Sequence, residues 1–164
     1  MKALVAYYSQ TGNTEKVARA IYEAITMEKT LAPVTEVESV AGYDIVFIGF
    51  PVHSHSVPSK ALPIFKLLAE GQKIAFFSTH GSLRGGQLPK QAVEHALGLA
   101  VKAKVLGTFG CRGGVDERII EMLMQKPEHK AWAEEAQGAA QHPDAHDLAD
   151  AKEFARQVIA KVGD

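Results

Sequence analysis

Six consecutive polar or glycine residues could bind an anion: Ser9, Gln10, Thr11, Gly12, Asn13 and Thr14. Three of them carry hydroxyl groups, and the glycine permits backbone angles that other residues avoid. A helical pattern begins at Glu15, so the backbone N–H groups of this stretch lie beside a helix N-terminus, where negative charge is favoured. The stretch predicts a phosphate site, or else a hydroxyl-rich turn that is capped by Asn13 or Thr14 and binds nothing.

The absence of lysine from this stretch narrows the phosphate chemistry. Loops that bind nucleoside triphosphates follow the pattern G-x-x-x-x-G-K-[ST], in which a lysine and a metal ion accompany the phosphates. Here only neutral hydroxyl and amide groups are available. Such a set suits a compact phosphate monoester better than a magnesium triphosphate chain.

Strand-like and helical patterns alternate along the chain and predict the scaffold that positions these residues. The predicted strands are Ala3–Tyr8, Val34–Glu38, Asp44–Phe50, Lys73–Thr79 and Lys104–Cys111. Helical patterns begin at Glu15 and cover Lys60–Leu68, Leu88–Val101 and the chain after Pro143. The alternation predicts a doubly wound α/β sheet whose strand-end loops meet at one edge. Three loops therefore converge: Ser9–Thr14, Pro51–Ser56 and Thr79–Gly86.

A segment at about 112–142 departs from this alternation. Asp116 predicts the start of a short helix that Pro127 ends, and a second helical piece surrounds Trp132. We expect this segment to be a lid or docking appendage near the fifth-strand loop.

The sequence YSQTGNT at Tyr8–Thr14 resembles the phosphate-binding loop of the flavodoxin family, which is written [ST]-x-T-G-N-T after the first strand. The resemblance covers most of residues 2–111 and the last helix. It implies a five-stranded parallel sheet of order 2-1-3-4-5 in a three-layer α/β/α arrangement, formed by a single domain over residues 1–164. It also implies a bound FMN and one- or two-electron transfer.

The same resemblance implies which residues contact the cofactor. It gives the phosphate to Ser9–Thr14, and the loops after the third and fourth strands would enclose the flavin ring. The residues of those two loops are Pro51, Val52, His53, Ser54, His55, Ser56, Thr79, His80, Gly81, Ser82, Gly85 and Gly86. Many flavodoxins place aromatic side chains there, whereas neither loop has a Trp, Tyr or Phe. Unless Trp132 folds back, we expect weaker stacking by His53, His55, His80 or Leu83.

Other chemistry has less support from the residues. The pair His53-x-His55 has no nearby carboxylate or cysteine to complete a tetrahedral set, so we expect no metal site. The serines of this loop do not lie on a strand-to-helix elbow, and we assign no catalytic residue. The only cysteine, Cys111, is predicted to be a half-buried structural thiol; the alternative is a reactive thiol whose pKa is lowered by Arg112.

Composition limits the function only broadly. The 164 residues suffice for one domain with its own core, and no apolar run approaches the roughly 20 residues that span a bilayer. No export signal is visible, and a single cysteine is compatible with a reducing compartment, so we expect a cytoplasmic protein.

Charge is unevenly distributed, although the formal net charge is only −1. Between Ile45 and Val93 the only acid is Glu70, against five lysines and arginines, whereas acids crowd in Asp116–Glu153. A neutral-to-basic rim around the site would attract redox partners that have acidic docking surfaces.

Three functions remain open. The leading hypothesis is an FMN-binding electron carrier between a reductase and an acceptor enzyme, rather than a stand-alone enzyme. The second is an FMN-dependent NAD(P)H:acceptor oxidoreductase acting on a quinone or flavin, in which Arg84, Lys90 or Arg112 holds the nucleotide phosphate. The third is a flavin-free interaction domain, against which the intact Thr11–Thr14 argues. No nucleic acid is expected as a partner.

Overall fold

The computed structural model describes every residue from Met1 to Asp164, and its centre is a sheet of five strands. The strands are β1 (Lys2–Tyr7), β2 (Glu28–Pro33), β3 (Ile45–Pro51), β4 (Lys73–His80) and β5 (Lys104–Arg112). Their order in the sheet is β2-β1-β3-β4-β5, and every adjacent pair is parallel. The doubly wound sheet predicted from the sequence is confirmed.

Five α-helices and two 3-10 segments accompany the strands. The helices are α1 (Asn13–Ala24), α2 (Gln87–Leu99), α3 (Glu117–Met124), α4 (Lys130–Gln137) and α5 (Ala145–Ala160), and the 3-10 segments are Val34–Glu36 and Ser59–Leu67. None of the helices combines the length and the apolar character needed to cross a bilayer. The longer 3-10 segment replaces the helix predicted over Lys60–Leu68. Pro63 lies inside it and, without a backbone N–H, cannot donate an α-helical hydrogen bond.

The second strand lies earlier in the chain than the sequence pattern indicated. The prediction of a strand at Val34–Glu38 is wrong, because β2 ends at Pro33 and a 3-10 turn begins at Val34. β2 lies at the edge of the sheet, where its residues are half-buried or exposed. An edge strand tolerates polar residues, so the continuous apolar run that marks a buried strand is missing from Glu28–Pro33.

Apolar side chains fill both faces of the sheet. A cluster of 17 buried residues joins α1 and α5 to one face, with Val17, Ile21 and Ala155 among its members. A cluster of 16 buried residues joins α2 and the longer 3-10 segment to the other face, through residues such as Ala92 and Ile64. These clusters confirm the three-layer α/β/α arrangement and fix the direction in which the strand-end loops project.

The chain between β5 and α5 forms a helical pair. The side chain of Asp116 accepts a hydrogen bond from the backbone N–H of Arg118 and so caps α3, as the sequence predicted. Between them, α3 and α4 bury a small apolar cluster of Ile120, Ala133 and Ala136.

This helical pair packs on the loop after β4. A Cβ atom added at Gly81 would lie 2.8 Å from Val115 Cγ2, 3.3 Å from Ala136 Cβ and 3.4 Å from Trp132 Cζ2. Trp132 therefore does fold back onto the fourth-strand loop, and Gly81 is required there because the approach is too close for a side chain.

Candidate functional site

The loop between β1 and α1, residues Ser9–Thr14, is called the phosphate loop below. It curls around the hydroxyl oxygen of Ser9, which accepts hydrogen bonds from the N–H groups of Gly12 (3.1 Å) and Glu15 (3.3 Å). Gly12 has φ 94° and forms the N-cap of α1. Neither Asn13 nor Thr14 caps the helix, because Ser9 satisfies a first-turn N–H instead.

Several backbone donors of the phosphate loop have no acceptor. The N–H groups of Gln10 and Thr11 make no hydrogen bond within the chain. Those of Asn13 and Thr14 lie in the first turn of α1, where no intrahelical acceptor exists. Space is also available, since a Cβ added at Gly12 would have no atom within 4 Å. Free donors at the positive end of a helix are the arrangement that binds a phosphate.

The loops after β3 and β4 contact the phosphate loop, as the strand topology predicted. The buried Thr14 hydroxyl lies 2.8 Å from the Thr79 hydroxyl. His53 Nε2 lies 3.2 Å from Gln10 Oε1. The Thr14 hydroxyl is engaged with Thr79, and the Thr14 backbone N–H remains available to a phosphate.

The loop after β3 continues the sheet and then closes in a tight turn. Val52 N–H donates to the Thr79 carbonyl (2.8 Å), and His53 and Ser56 exchange two backbone hydrogen bonds (3.2 and 3.0 Å). Ser54 has φ 56°, the left-handed conformation that glycine adopts most easily. His53 and His55 are exposed, so their rings remain available to a ligand.

The loop after β4 turns its first side chains inward. Thr79, His80 and Ser82 are each at most 6% exposed. His80 Nδ1 lies 2.8 Å from the Ser82 carbonyl oxygen, which can only accept, so this nitrogen carries the proton. Burial lowers the pKa of His80 and keeps its ring neutral. At 6% exposure the His80 ring has little surface to offer a flavin, whereas Leu83 is 55% exposed.

Arg84, in the same loop, is held by α5 through contacts that the sequence analysis missed. Its guanidinium pairs with Asp147 (2.7 Å) and Asp150 (2.9 Å), which lie three residues apart on the helix. It also lies over the ring of Phe109, 5.3 Å from the centroid. The partners are 63 residues apart in the chain, so no local spacing could have indicated the pair of Arg84 with Asp147.

Asp147 is the centre of this ion cluster. Its Oδ2 accepts from the Asp144 backbone N–H (2.9 Å) and lies 2.5 Å from His142 Nδ1, while its Oδ1 receives Arg84. Burial opposes the charge, but the hydrogen bonds from His142, Asp144 and Arg84 together hold the pKa of Asp147 below its usual value. His142, Asp144 and Asp147 have ligand atoms within 4.8 Å of one another. Their carboxylates already serve Arg84 and the capping box of α5, so the cluster is an ion-pair network rather than a metal centre.

Arg112 lies at the end of β5 and joins the loop after β4 to α4. Its Nη2 donates to the carbonyl oxygens of Gly81 (3.3 Å) and Glu135 (2.5 Å). The Glu135 carboxylate in turn accepts from the Leu83 N–H (3.1 Å). The adjacent Cys111 is fully buried, and burial raises the pKa of its thiol to about 12. The alternative of a reactive thiol beside Arg112 is therefore wrong.

The tertiary structure also changes the charge around the site. Asp147 and Asp150 neutralise Arg84, and the Glu135 carboxylate accepts from the preceding residue, Leu83. A cleft of about 460 Å³ beside the phosphate loop is lined by Thr11, Asn13, Gly114, Val115, Asp116, Glu117 and Arg118. Acidic residues from the segment 116–153 thus lie at the rim of the site. The prediction of a neutral-to-basic rim is therefore wrong beside the fourth- and fifth-strand loops.

Comparison with known proteins agrees with this geometry. The flavodoxin domain family matches residues 4–156. The chain belongs to the flavodoxin family. Of its relatives, the flavodoxin-like domain-containing protein BilS of Clostridioides difficile (strain CD3) is 30% identical over 173 aligned positions, which cover 98% of each chain.

Solved flavodoxin structures share the fold. Oxidised Flavodoxin 2 from Bacillus cereus matches with a TM-score of 0.67 and 18% identity, over 98% of this chain and 99% of that one. A flavoprotein of Lactobacillus acidophilus NCFM in complex with FMN matches with a TM-score of 0.53 and 22% identity, over 66% of this chain and 92% of that one.

FMN is the cofactor of this flavodoxin. The phosphate loop fits its phosphate, because it offers uncommitted N–H donors, the free hydroxyl proton of Ser9 and open space above Gly12. The flanking loops also fit a ring, since His53, His55 and Leu83 are exposed beside it.

Proposed function

We propose that this flavodoxin is an electron carrier that receives electrons from a reductase and passes them to an acceptor enzyme. The observation that carries the proposal is the set of free N–H donors in the phosphate loop, at the junction of β1 and β3 where doubly wound sheets bind their ligands. When bound, FMN supplies the redox chemistry, and the protein supplies binding, orientation and electrostatics.

In this proposal the phosphate is held by the backbone N–H groups and the Ser9 and Thr11 hydroxyls of the phosphate loop. The ring lies between the other two loops. The third-strand loop contributes Pro51, Val52, His53, Ser54, His55 and Ser56, and the fourth-strand loop contributes Thr79, His80, Gly81, Ser82, Gly85 and Gly86. Because the side chains of Thr79, His80 and Ser82 are buried, that loop acts through its backbone and the exposed Leu83.

The interactions of the basic side chains near the site favour an electron carrier over an NAD(P)H oxidoreductase. Arg84 is paired with two carboxylates, and Arg112 is bound to two backbone carbonyls. Among Arg84, Lys90 and Arg112, only Lys90 is exposed and without an ion pair. A single mobile lysine is a poor site for the diphosphate of a nicotinamide nucleotide.

We further infer a single domain with residues 112–142 appended to it, and a cytoplasmic location. Both inferences agree with a structure in which α3 and α4 pack on the site and Cys111 is a buried free thiol.

The decisive experiment uses the FMN-loaded protein without oxygen. Mixed with NADH or NADPH alone, the flavin should stay oxidised, and it should be reduced once a flavodoxin reductase is added. Reduction by NAD(P)H alone at roughly 1 s⁻¹ or faster would instead indicate the oxidoreductase. In that case Lys90→Gln should raise the KM for the nucleotide. A purified protein that takes up no FMN would contradict both functions.

A further inference from the structure

Two consecutive residues of the fourth-strand loop are held by carboxylates from outside the loop. The Leu83 N–H donates to Glu135 on α4, at 3.1 Å. Arg84 binds Asp147 and Asp150 on α5, at 2.7 and 2.9 Å. We call the Glu135 contact and the Arg84–Asp147 pair the anchors of the loop. They come from two different helices, α4 and α5.

The loop has little internal structure that could fix these residues. Gly81, Gly85 and Gly86 give it a flexible backbone, and Gly85 has φ 76°. The only hydrogen bonds within residues 80–86 are those from Gly86 N–H to the Leu83 carbonyl and between His80 and the Ser82 carbonyl. Without outside contacts such a loop samples many conformations, and ordering it on binding a ligand would weaken that binding.

The Arg84–Asp147 pair is more restrained than an ordinary surface ion pair. Asp147 is 5% exposed and is fixed by the capping box of α5 and by His142. Arg84 is further restrained by the ring of Phe109 beneath it. By contrast, the pair of Arg156 with Glu153 on the same helix is 3.4 Å long, with both side chains more than half exposed.

The geometry points to Glu135 and the Arg84–Asp147 pair as positioning residues that hold the fourth-strand loop in the shape that receives the flavin ring. They act through the loop backbone and not through contact with the flavin. The inference rests on the proposed function only in assuming that the ring lies against this loop. It assigns the segment 112–142 a role, since Glu135 belongs to it.

The test compares FMN with riboflavin, which has the same ring and no phosphate. Dissociation constants are measured by quenching of flavin fluorescence for the wild type, Arg84→Gln and Glu135→Ala. Each variant should weaken binding by about tenfold, the range expected for a lost charge-assisted hydrogen bond. The factor should be the same for both ligands, because the phosphate loop is unchanged.

Matched variants separate positioning from general damage. Arg156→Gln removes the exposed arginine of α5, and Glu134→Ala removes the exposed neighbour of Glu135; both should bind like the wild type. Glu135→Gln keeps an acceptor for the Leu83 N–H and should retain most of the affinity. In the flavin-free protein, hydrogen exchange should quicken at 83–86 in Arg84→Gln and Glu135→Ala and stay unchanged at 9–14.

Three results would overturn the inference. The first is affinity within about twofold of wild type in both anchor variants, which is the range of inert surface changes. The second is a loss for FMN alone, which would place the effect at the phosphate. The third is a fall in melting temperature that Glu135→Gln shares, which would indicate a structural role. If the wild type bound no flavin, the proposed function would fail, and hydrogen exchange in the flavin-free protein would still decide whether the anchors hold the loop.

Discussion

Single atoms of Ser9 and Gly12 shape the phosphate loop. The Ser9 oxygen accepts from two backbone N–H groups, and the N–H groups of Gln10 and Thr11 have no acceptor within the chain. Gly12 has a φ of 94°, a left-handed conformation that is costly for residues with a Cβ, so glycine suits this position. Asp147 plays a comparable part in the ion cluster beside the fourth-strand loop. Its one carboxylate binds the Asp144 N–H at the start of α5, the His142 ring and the Arg84 guanidinium.

Replacing Gly12 by alanine separates backbone strain from steric clash. The new Cβ would meet no atom within 4 Å, so the expected loss of about 1–2 kcal/mol in unfolding free energy comes from the left-handed backbone alone. Gly98, in the last turn of α2, also has open space and no left-handed backbone, so Gly98→Ala should not destabilise the protein and should stabilise it by at most about 0.5 kcal/mol. Urea unfolding of the flavin-free proteins gives both values. Equal effects at the two positions would argue against strain at Gly12.

Asp147 predicts a pH dependence of stability. Its pKa in the folded protein lies below the value of about 3.9 expected in the unfolded chain, so the unfolded state takes up the proton first as pH falls. The stability that Asp147 contributes is therefore present above about pH 4 and is lost as pH falls through the folded pKa. Asp147→Asn should remove this component and flatten the acid limb, whereas Glu134→Gln should not. Unfolding free energies measured along the acid limb test this, and parallel curves would contradict it.

At the scale of elements, each strand positions the loop that follows it, and close packing fixes the strands. Gly49 of β3 pairs with Phe77 of β4, and the Phe77 ring lies where a side chain at position 49 would be. The end of β4 is similarly tied to the phosphate loop by the Thr14–Thr79 contact. A shift of β3 against β4 would therefore move the third- and fourth-strand loops relative to each other.

Gly49→Ala tests this packing. The added Cβ would lie 2.0 Å from Phe77 Cε2, and Phe77 is fully buried in the core. We expect a loss of about 3 kcal/mol or more in unfolding free energy, at the upper end for overpacked cores. In a protein that already carries Phe77→Leu, the further change Gly49→Ala should cost less unfolding free energy than Gly49→Ala costs in the wild type. If the single change were nearly neutral, the strands must separate more easily than this contact implies.

At the scale of the whole molecule, the sheet order brings together loops that are far apart in the chain. The carboxyl ends of β1, β3 and β4 place Ser9–Thr14, Pro51–Ser56 and Thr79–Gly86 around one site. The segment between β5 and α5 closes this group, because Asn13 Nδ2 donates to the Gly114 carbonyl at 2.9 Å. A ligand held by several loops should therefore stabilise the entire fold.

Thermal unfolding should report this coupling. At a hundredfold excess over its dissociation constant, FMN should stabilise the native state by about 2.7 kcal/mol, which corresponds to a rise in Tm of about 5–10 °C for a chain of this size. Riboflavin at the same concentration should give a smaller rise, because it lacks the phosphate that the phosphate loop binds. Equal shifts for the two ligands would show that the phosphate loop does not contribute to binding.

Local sequence determined the sheet, the order of its elements and the phosphate loop. Buried strands have continuous apolar runs, helices have apolar stripes, and the loop YSQTGNT holds its donors within six residues, so these features depend on neighbours in the chain. β2 was misplaced for the same reason, since an edge strand is only half-buried and carries no such run.

Only the tertiary structure decided what surrounds the cofactor site. The pairing of Arg84 with Asp147, the reach of Glu135 to Leu83 and the packing of Trp132 on Gly81 join residues more than 50 positions apart. The burial of the His80 side chain likewise depends on the packing of distant residues around it. Such long-range contacts leave no periodic pattern in the sequence, because the tertiary fold brings the partners together and their separation along the chain does not.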